Sequence, residues 1–252
     1  MKEGINLQWL ENNFDRGLYV FYTNEEASFQ RFRRGPCIHF HVRTIKKLEN
    51  ILKSGSYAQV CNDSEYIELL YATLTAWGMN ELRGGPELQD FEEFEKNIKG
   101  LDVGMADCLG KYRLNDLEAS KLEELKSSIE GIYTYLADRR IMRTDKAIVG
   151  VSKTLHHLFP HLLVPVDKKH IINLLANLKE EEYRTSSNQY DTFENYWKCI
   201  KVSHYLAKAL SKRGIVEVSD WKPDKPNFQI KNRPMDTSIP KMIDNALIGL
   251  NP

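Results

Sequence analysis

Cysteine is sparse and unpatterned in this chain. The four residues Cys37, Cys61, Cys108 and Cys199 are far apart and include no C-x-x-C pair, which argues against a zinc ribbon and against a disulfide framework. Reduced thiols in a cytoplasmic protein are the expectation. Long apolar runs are missing too: nothing approaches the roughly 18 consecutive apolar residues of a membrane-spanning helix, so no membrane partner is expected. The first twenty residues carry three acids before any apolar run, which is unlike a secretory signal. Net charge is absent, with 35 basic and 35 acidic side chains, so the field of the whole molecule favours no class of partner. Internal repeats and low-complexity tracts are also lacking. Strand signals are confined to GLYVFYT near the N-terminus and IVEV at 215–218, and neither repeats.

What remains is helical periodicity. A chain of 252 residues that is 42% hydrophobic can bury a sizeable core. Val42, Ile45, Leu48 and Leu52 share one face of a helix over 41–53 that stops at Gly55. Asn62-Asp63-Ser64-Glu65 caps an apolar helix running to Trp77, and Gly84-Gly85-Pro86 breaks the chain before the acidic helix LQDFEEFEKNI. A long helix is expected over 117–142, another over 191–213, and a short one at KMIDNALIGL. The stretch EEEYRTSSNQYD at 180–191 reads as a surface loop. The fold class is mainly α with few or no strands, either as one unit spanning 1–252 or as two helical lobes with the segment 146–170 between them.

Charge is unevenly distributed along this map. Residues 63–107 hold eleven acids and three bases, whereas 139–170 hold seven bases (Arg139, Arg140, Arg143, Lys146, Lys153, Lys168, Lys169) against Asp145 and Asp167. A local excess of about five positive charges attracts a polyanion if these side chains share a face. Otherwise Arg139, Arg140 and Arg143 simply solvate the negative end of a helix dipole.

The same segment, KAIVGVSKTLHHLFPHLLVPVDKK, places Lys153 inside an apolar helical pattern and Asp167 fourteen residues later behind Leu162-Leu163-Val164-Pro165-Val166. Burying either charge costs several kcal/mol unless it is paired or functional. The string Lys146 to Lys153 followed by Val164-Pro165-Val166-Asp167 resembles the catalytic segment of helix-hairpin-helix DNA glycosylases, and it is most similar to the archaeal 8-oxoguanine glycosylase branch. The resemblance covers about 25 residues. It implies a helix-hairpin-helix glycosylase-like fold, with Lys153 opening a helix after a hairpin reduced to Gly150-Val151-Ser152. It also implies Lys153 as nucleophile, Asp167 as the essential carboxylate, and double-stranded DNA with a damaged or modified base as partner.

The residue types suit that chemistry. Breaking an N-glycosidic bond builds positive charge on the sugar, which a carboxylate at Asp167 stabilises. Lys153 attacks C1′ only as the neutral amine, and burial favours that form. Asp167, just after Pro165 at a helix start, is also placed to cap free N–H groups. A base-flipping enzyme further needs an aromatic and polar pocket, for which Trp77, Asn80, Arg83 and His157 are candidates. Arg139, Arg140, Arg143, Lys146, Gly150, Ser152, Lys168, Lys169 and His170 are the candidate DNA contacts. The cluster Phe29, Arg31, Phe32, Arg33, Arg34 suits either a phosphate grip or an ordinary amphipathic helix end.

His156, His157 and His161 crowd one segment, but Pro160 interrupts the helix between them. CIHFH at 37–41 offers no second ligand pair, so no metal or other cofactor is expected. The function expected is excision of a base, either 8-oxoguanine-like in DNA repair or a bulky phage base such as a glucosylated hydroxymethylcytosine in antiviral defence, by a monomer with or without lyase activity. The alternative is a non-catalytic DNA-binding or protein-interaction helical module in which Lys153 and Asp167 form a structural pair.

Overall fold

A computed structural model describes residues 5–23, 37–79, 87–138, 141–143, 147–230 and 232–251. It is mainly helical, and no strand occurs among the described residues beyond the isolated bridges Ile5 to Leu178 and Leu88 to Met142. The order is α1 (Leu7–Asn12), α2 (Phe14–Thr23), α3 (Cys37–Leu52), α4 (Tyr57–Asn62), α5 (Ser64–Ala76), α6 (Phe91–Lys99), α7 (Val103–Leu109), α8 (Ala119–Asp138), α9 (Ala147–Leu158), a π-helical turn (Lys168–Ile172), α10 (Phe193–Lys212) and α11 (Ile239–Leu250). No described helix is long and apolar enough to cross a membrane.

Local chemistry sets the boundaries. Asp63, Asp90, Asp102, Thr192 and Ser238 each accept a hydrogen bond from the backbone N–H three residues on, which fixes the starts of α5, α6, α7, α10 and α11. At the end of α5 the N–H of Met79 donates to Leu74 O and that of Gly78 to Thr75 O, while Gly78 adopts φ +90. This left-handed stop, which glycine tolerates and other residues resist, leaves Trp77 as the last residue before the chain turns away.

Both predicted strands are corrected. GLYVFYT belongs to α2, where Phe14, Leu18, Phe21 and Tyr22 recur at helical spacing on a buried face; the apolar run satisfies either period, and packing against α11 selects the helix. At 215–218, Gly214 (φ +77) ends α10, Ile215 N–H bonds back to Leu210 O, and one 3-10 turn follows at Val218–Asp220. The long helix is shorter than its periodicity suggested: it closes at Asp138, and Ile141–Arg143 run extended beside Glu87–Gln89.

Nearly all of the described buried apolar side chains form one connected cluster. Its tightest junction is the crossing of α2 and α11, where a Cβ built on Gly17 would lie 2.3 Å from Ala246 O and one on Gly249 would lie 1.9 Å from Gly17 O. The two backbones touch directly. That contact sets α11 against the π-helical turn, and so builds the wall of a cleft.

Candidate active site

The cleft has an inner and an outer compartment. The inner cavity, about 180 Å³, is lined by Lys153 of α9, Pro165-Val166-Asp167 and His170 of the following turn, Trp77 at the end of α5, Phe21 of α2, Met235, and Lys241, Asp244 and Ile248 of α11. The outer recess, about 360 Å³, is lined by Gly78, Met79, Val149, Lys168, Lys169, Asn173 and Tyr190. Trp77, Lys153 and Asp167 line both compartments and stand where the two meet.

Lys153 projects from the middle of α9. Burial lowers its proton affinity, the carboxylates of Asp167 and Asp244 raise it, and the ammonium of Lys241 lowers it further, with desolvation the largest effect. The net shift is downward, toward the neutral amine. Among the described residues no carboxylate forms an ion pair with Lys153 Nζ, which lies over the Trp77 ring, 5.6 Å from its centroid.

Asp167 starts the π-helical turn. Its Oδ1 accepts from His170 N–H at 3.1 Å, and its backbone oxygen accepts from the N–H groups of both Ile171 and Ile172. The expected capping role is therefore present, served by one carboxylate oxygen. Next to Asp167 the segment is tied to α9 by Ser152, whose Oγ accepts the N–H of Val166 at 3.0 Å and donates to Val149 O at 3.3 Å. Ser152 lies one residue before Lys153 and Val166 one before Asp167, so this bond fixes the two site residues relative to each other.

The hairpin reading of Gly150-Val151-Ser152 is overturned. These residues are continuous helix and fully buried, and a Cβ at Gly150 would lie 2.1 Å from Met142 Sδ. Gly150 therefore serves close packing and Ser152 the turn, and neither is placed to contact DNA. Lys153 sits in the second turn of α9 instead of opening it. The N-terminus of α9 is capped by Asp191, whose carboxylate accepts from the N–H groups of Ala147 (2.9 Å) and Ile148.

The described cations of the basic segment have different surroundings. Arg143 pairs with Glu87 at 2.8 Å and reaches Asp90 at 3.7 Å, while Arg139, Arg140 and Lys146 lie outside the described residues, as do Asn80, Arg83 and the cluster 29–34. Lys168 and Lys169 are exposed on the outer recess, with Lys168 Nζ 3.8 Å above the Tyr190 ring. His170 lines the inner cavity, and its Nδ1–H donates to Asn251 O at 2.7 Å.

His157 lines neither compartment. It is buried against the edge of Trp77, ring centroids 4.9 Å apart, and its Nδ1–H donates to Lys153 O at 2.7 Å. Its Nε2 therefore accepts, taking the Nδ1–H of His41 at 3.0 Å, and His41 Nε2 accepts from Thr237 Oγ1 at 2.9 Å. Nδ1–H of His156 donates to Leu163 O. Burial pushes all three imidazoles down, His157 to about 4, so the cluster is neutral near pH 7. Pro160 ends α9 as expected, and His161 lies apart, beside Glu49 and Arg113. Among the described residues no group of three or more His, Cys, Asp or Glu side chains is arranged to hold a metal.

Sequence reading missed Lys241 and Asp244. Lys241 Nζ donates to Asp244 Oδ2 and, at 2.8 Å, to Asn245 Oδ1, while Asn245 Nδ2 donates to Asp236 Oδ1 at 2.6 Å and Tyr22 Oη donates to the same oxygen at 2.9 Å. Lys241, Asp244 and Asn245 sit at i, i+3 and i+4 within KMIDNALIGL, whose other residues are almost wholly apolar and buried. Three polar residues sharing one stripe of an apolar helix was the available signal.

The chain was compared with protein-family models, with curated proteins and with solved structures, and it matches none of them.

Proposed function

We propose that the protein is a DNA N-glycosylase acting on a flipped-out damaged or modified base. The observation that carries this reading is the junction of the two compartments, where the Lys153 amine and the Asp167 carboxylate face a shared cleft beside an indole ring without pairing to each other. In the step proposed, the Lys153 Nζ lone pair bonds to C1′ and the C1′–N bond breaks. Its electrons leave with the base, which takes up one of the two amine protons; the nitrogen lone pair then expels O4′, which takes up the second proton as the C1′–O4′ bond breaks, and an imine (Schiff base) remains. Asp167 stabilises the positive charge that develops on the sugar. Trp77 stacks on the extruded base.

The resemblance of the 146–167 segment to helix-hairpin-helix glycosylases supports the roles of Lys153 and Asp167, while the phosphate grip belongs to other residues than Gly150 and Ser152. Lys168 and Lys169, which line the outer recess, are the cations to which this reading gives that role. At about 180 Å³ the inner cavity holds on the order of six water volumes. That suits a planar base such as 8-oxoguanine; a glucosylated hydroxymethylcytosine would have to leave its sugar in the outer recess.

The second reading, a non-catalytic DNA-binding or interaction module, is favoured by the missing turn at 150–152. It loses its structural Lys-Asp pair, since no ion pair joins Lys153 to a described carboxylate. Borohydride reduction during incubation with duplexes carrying 8-oxoguanine, uracil, glucosylated cytosines or an abasic site separates the two. A covalent adduct and released base with the natural protein, both lost in Lys153→Gln, are expected. Neither adduct nor excision on any duplex, with DNA binding unchanged in Lys153→Gln and Asp167→Asn, overturns the enzyme.

A further inference from the structure

Lys153 is an amine in a cavity that holds two carboxylates, Asp167 and Asp244, yet it pairs with neither. Asp167 uses its Oδ1 to accept His170 N–H at the start of the turn. For Asp244 the reason is Lys241. Both residues are 3% exposed, and the Lys241 ammonium is bonded to Asp244 Oδ2 and to Asn245 Oδ1. Asn245 is anchored in turn on Asp236, which Arg233 and Tyr22 also hold. The network runs along α11, whose backbone contact with α2 leaves it little room to shift.

Both lysine amines approach the same indole: Lys241 Nζ lies 5.2 Å and Lys153 Nζ 5.6 Å from the Trp77 centroid. The Lys241 ammonium is bonded to two acceptors, whereas the Lys153 amine has no ion-pair partner among the described residues. We propose that Lys241 is a positioning residue for Lys153, which by holding Asp244 in a buried ion pair keeps that carboxylate from capturing the Lys153 amine. The inference rests on the reading of Lys153 as nucleophile.

The two effects of Lys241 on Lys153 have the same sign. Its positive charge disfavours a second charge nearby, and its grip on Asp244 withdraws a negative one. Removing Lys241 alone reverses both and makes Lys153 more basic. Removing the Asp244 charge alone does the opposite, because an attraction is lost while the Lys241 cation stays. The other ionisable groups around Lys153 are Asp167, His170 and, on the outer recess, Lys168 and Lys169, with His157 bonded to its carbonyl. None of them changes in these variants.

The test reads the amine itself and needs no DNA. The full chain is labelled with trace acetic anhydride across pH 6 to 11, and acetylation of Lys153 is quantified by peptide mass spectrometry against exposed lysines such as Lys222. The expected result is a Lys153 midpoint that rises by about one pH unit in Lys241→Met, an approximately tenfold loss of reactive amine at fixed pH below both midpoints, and that falls in Asp244→Asn. Should Lys241→Met fail to fold, Asp244→Asn alone decides. A midpoint that stays or rises in Asp244→Asn, or that stays or falls in a folded Lys241→Met, overturns the proposal. If the midpoints move as expected and borohydride traps no DNA adduct, the positioning role stands and the glycosylase reading fails.

Discussion

Trp77 touches two groups of buried ionisable side chains that meet the cost of desolvation in different ways. His41, His156 and His157 give up their charge, and their Nδ1–H groups are passed to carbonyl oxygens or to one another. Lys241, Asp244 and Asp236 are gathered instead into a network of opposite charges and amide groups. A neutral imidazole chain needs no counter-ion, whereas a buried ion pair is held only if its geometry and remaining hydrogen bonds are satisfied. Lys153 belongs to neither solution. Its backbone carbonyl is bonded to the histidine chain and its side chain enters the cavity walled by the charged network, with no ion-pair partner among the described residues. A polar group left in that condition is what a reactive amine requires.

The largest expected effect separates Lys153 from both clusters. Lys153→Gln should reduce excision by on the order of 10³-fold or more, as removal of a covalent nucleophile does, and Asp167→Asn by about 10²- to 10³-fold. Thermal melting of Lys153→Gln should match or exceed that of the natural chain, because a half-buried amine with no ion-pair partner among the described residues adds little to stability. A Lys153→Gln protein that melts well below it would return the residue to a structural role.

Acid should distinguish the two clusters. Each imidazole is less basic folded than unfolded, so the unfolded chain binds more protons below about pH 6.5, the ordinary histidine value, and stability is lost as pH falls toward the folded value. For His157, with a folded value of about 4, this is worth about 3 kcal/mol. Burial makes Asp236 and Asp244 more basic folded than unfolded, so these carboxyls change stability in the opposite sense, gaining as pH falls. Urea melts between pH 7 and 4 should show a net loss that is smaller in His157→Gln and larger in Asp244→Asn. Parallel curves for the two variants would dissolve the distinction.

How much of this was legible depended on distance along the chain. Mainly helical architecture followed from periodicity, and Asp63 and Pro160 marked real boundaries. Lys153, Asp167 and Trp77 line one cleft because Pro165-Val166-Asp167 follows α9 within a few residues and Trp77-Gly78 ends its helix with a recognisable left-handed stop. Lys241 and Asp244 come from a helix more than seventy residues further on, brought in by Gly17 and Gly249, and no local pattern encodes that meeting. GLYVFYT misled for the same reason: the residue that makes it a helix is a glycine whose partner is on α11. Gly150 misled in the other direction, since a glycine kept for Met142 looks in sequence like one kept for a turn.

The crossing of α2 and α11 therefore offers a way to disturb one cluster and spare most of the other. In Gly249→Ala the new methyl meets backbone atoms, Gly17 O at 1.9 Å and Phe21 N at 2.9 Å, which cannot move as a flexible side chain does. The overpacking should cost about 2 kcal/mol or more. It should also shift Lys241 and Asp244 relative to Lys153, so that the acetylation midpoint of Lys153 moves while the amide exchange of α9, where His156 and His157 sit, does not. Equal loosening of both would mean that the clusters form one cooperative unit.

The smallest effect tests the tie between the two halves of the site. Ser152→Ala removes an acceptor from the buried N–H of Val166, at a cost of about 1–2 kcal/mol for the unsatisfied donor, and creates no charge or clash. Neither the histidine chain nor the Lys241 network contains this bond, so acid sensitivity and the Lys153 midpoint should stay as they are. Excision should nevertheless fall by about tenfold, since loosening Val166 loosens Asp167 and small displacements of a charge-stabilising group weaken the reaction. Single-turnover rates with saturating DNA, set beside the urea melt of the same variant, measure both quantities. A loss of stability with no loss of rate would show that Asp167 is held by its own bond to His170 N–H, and that the serine clip serves the fold alone.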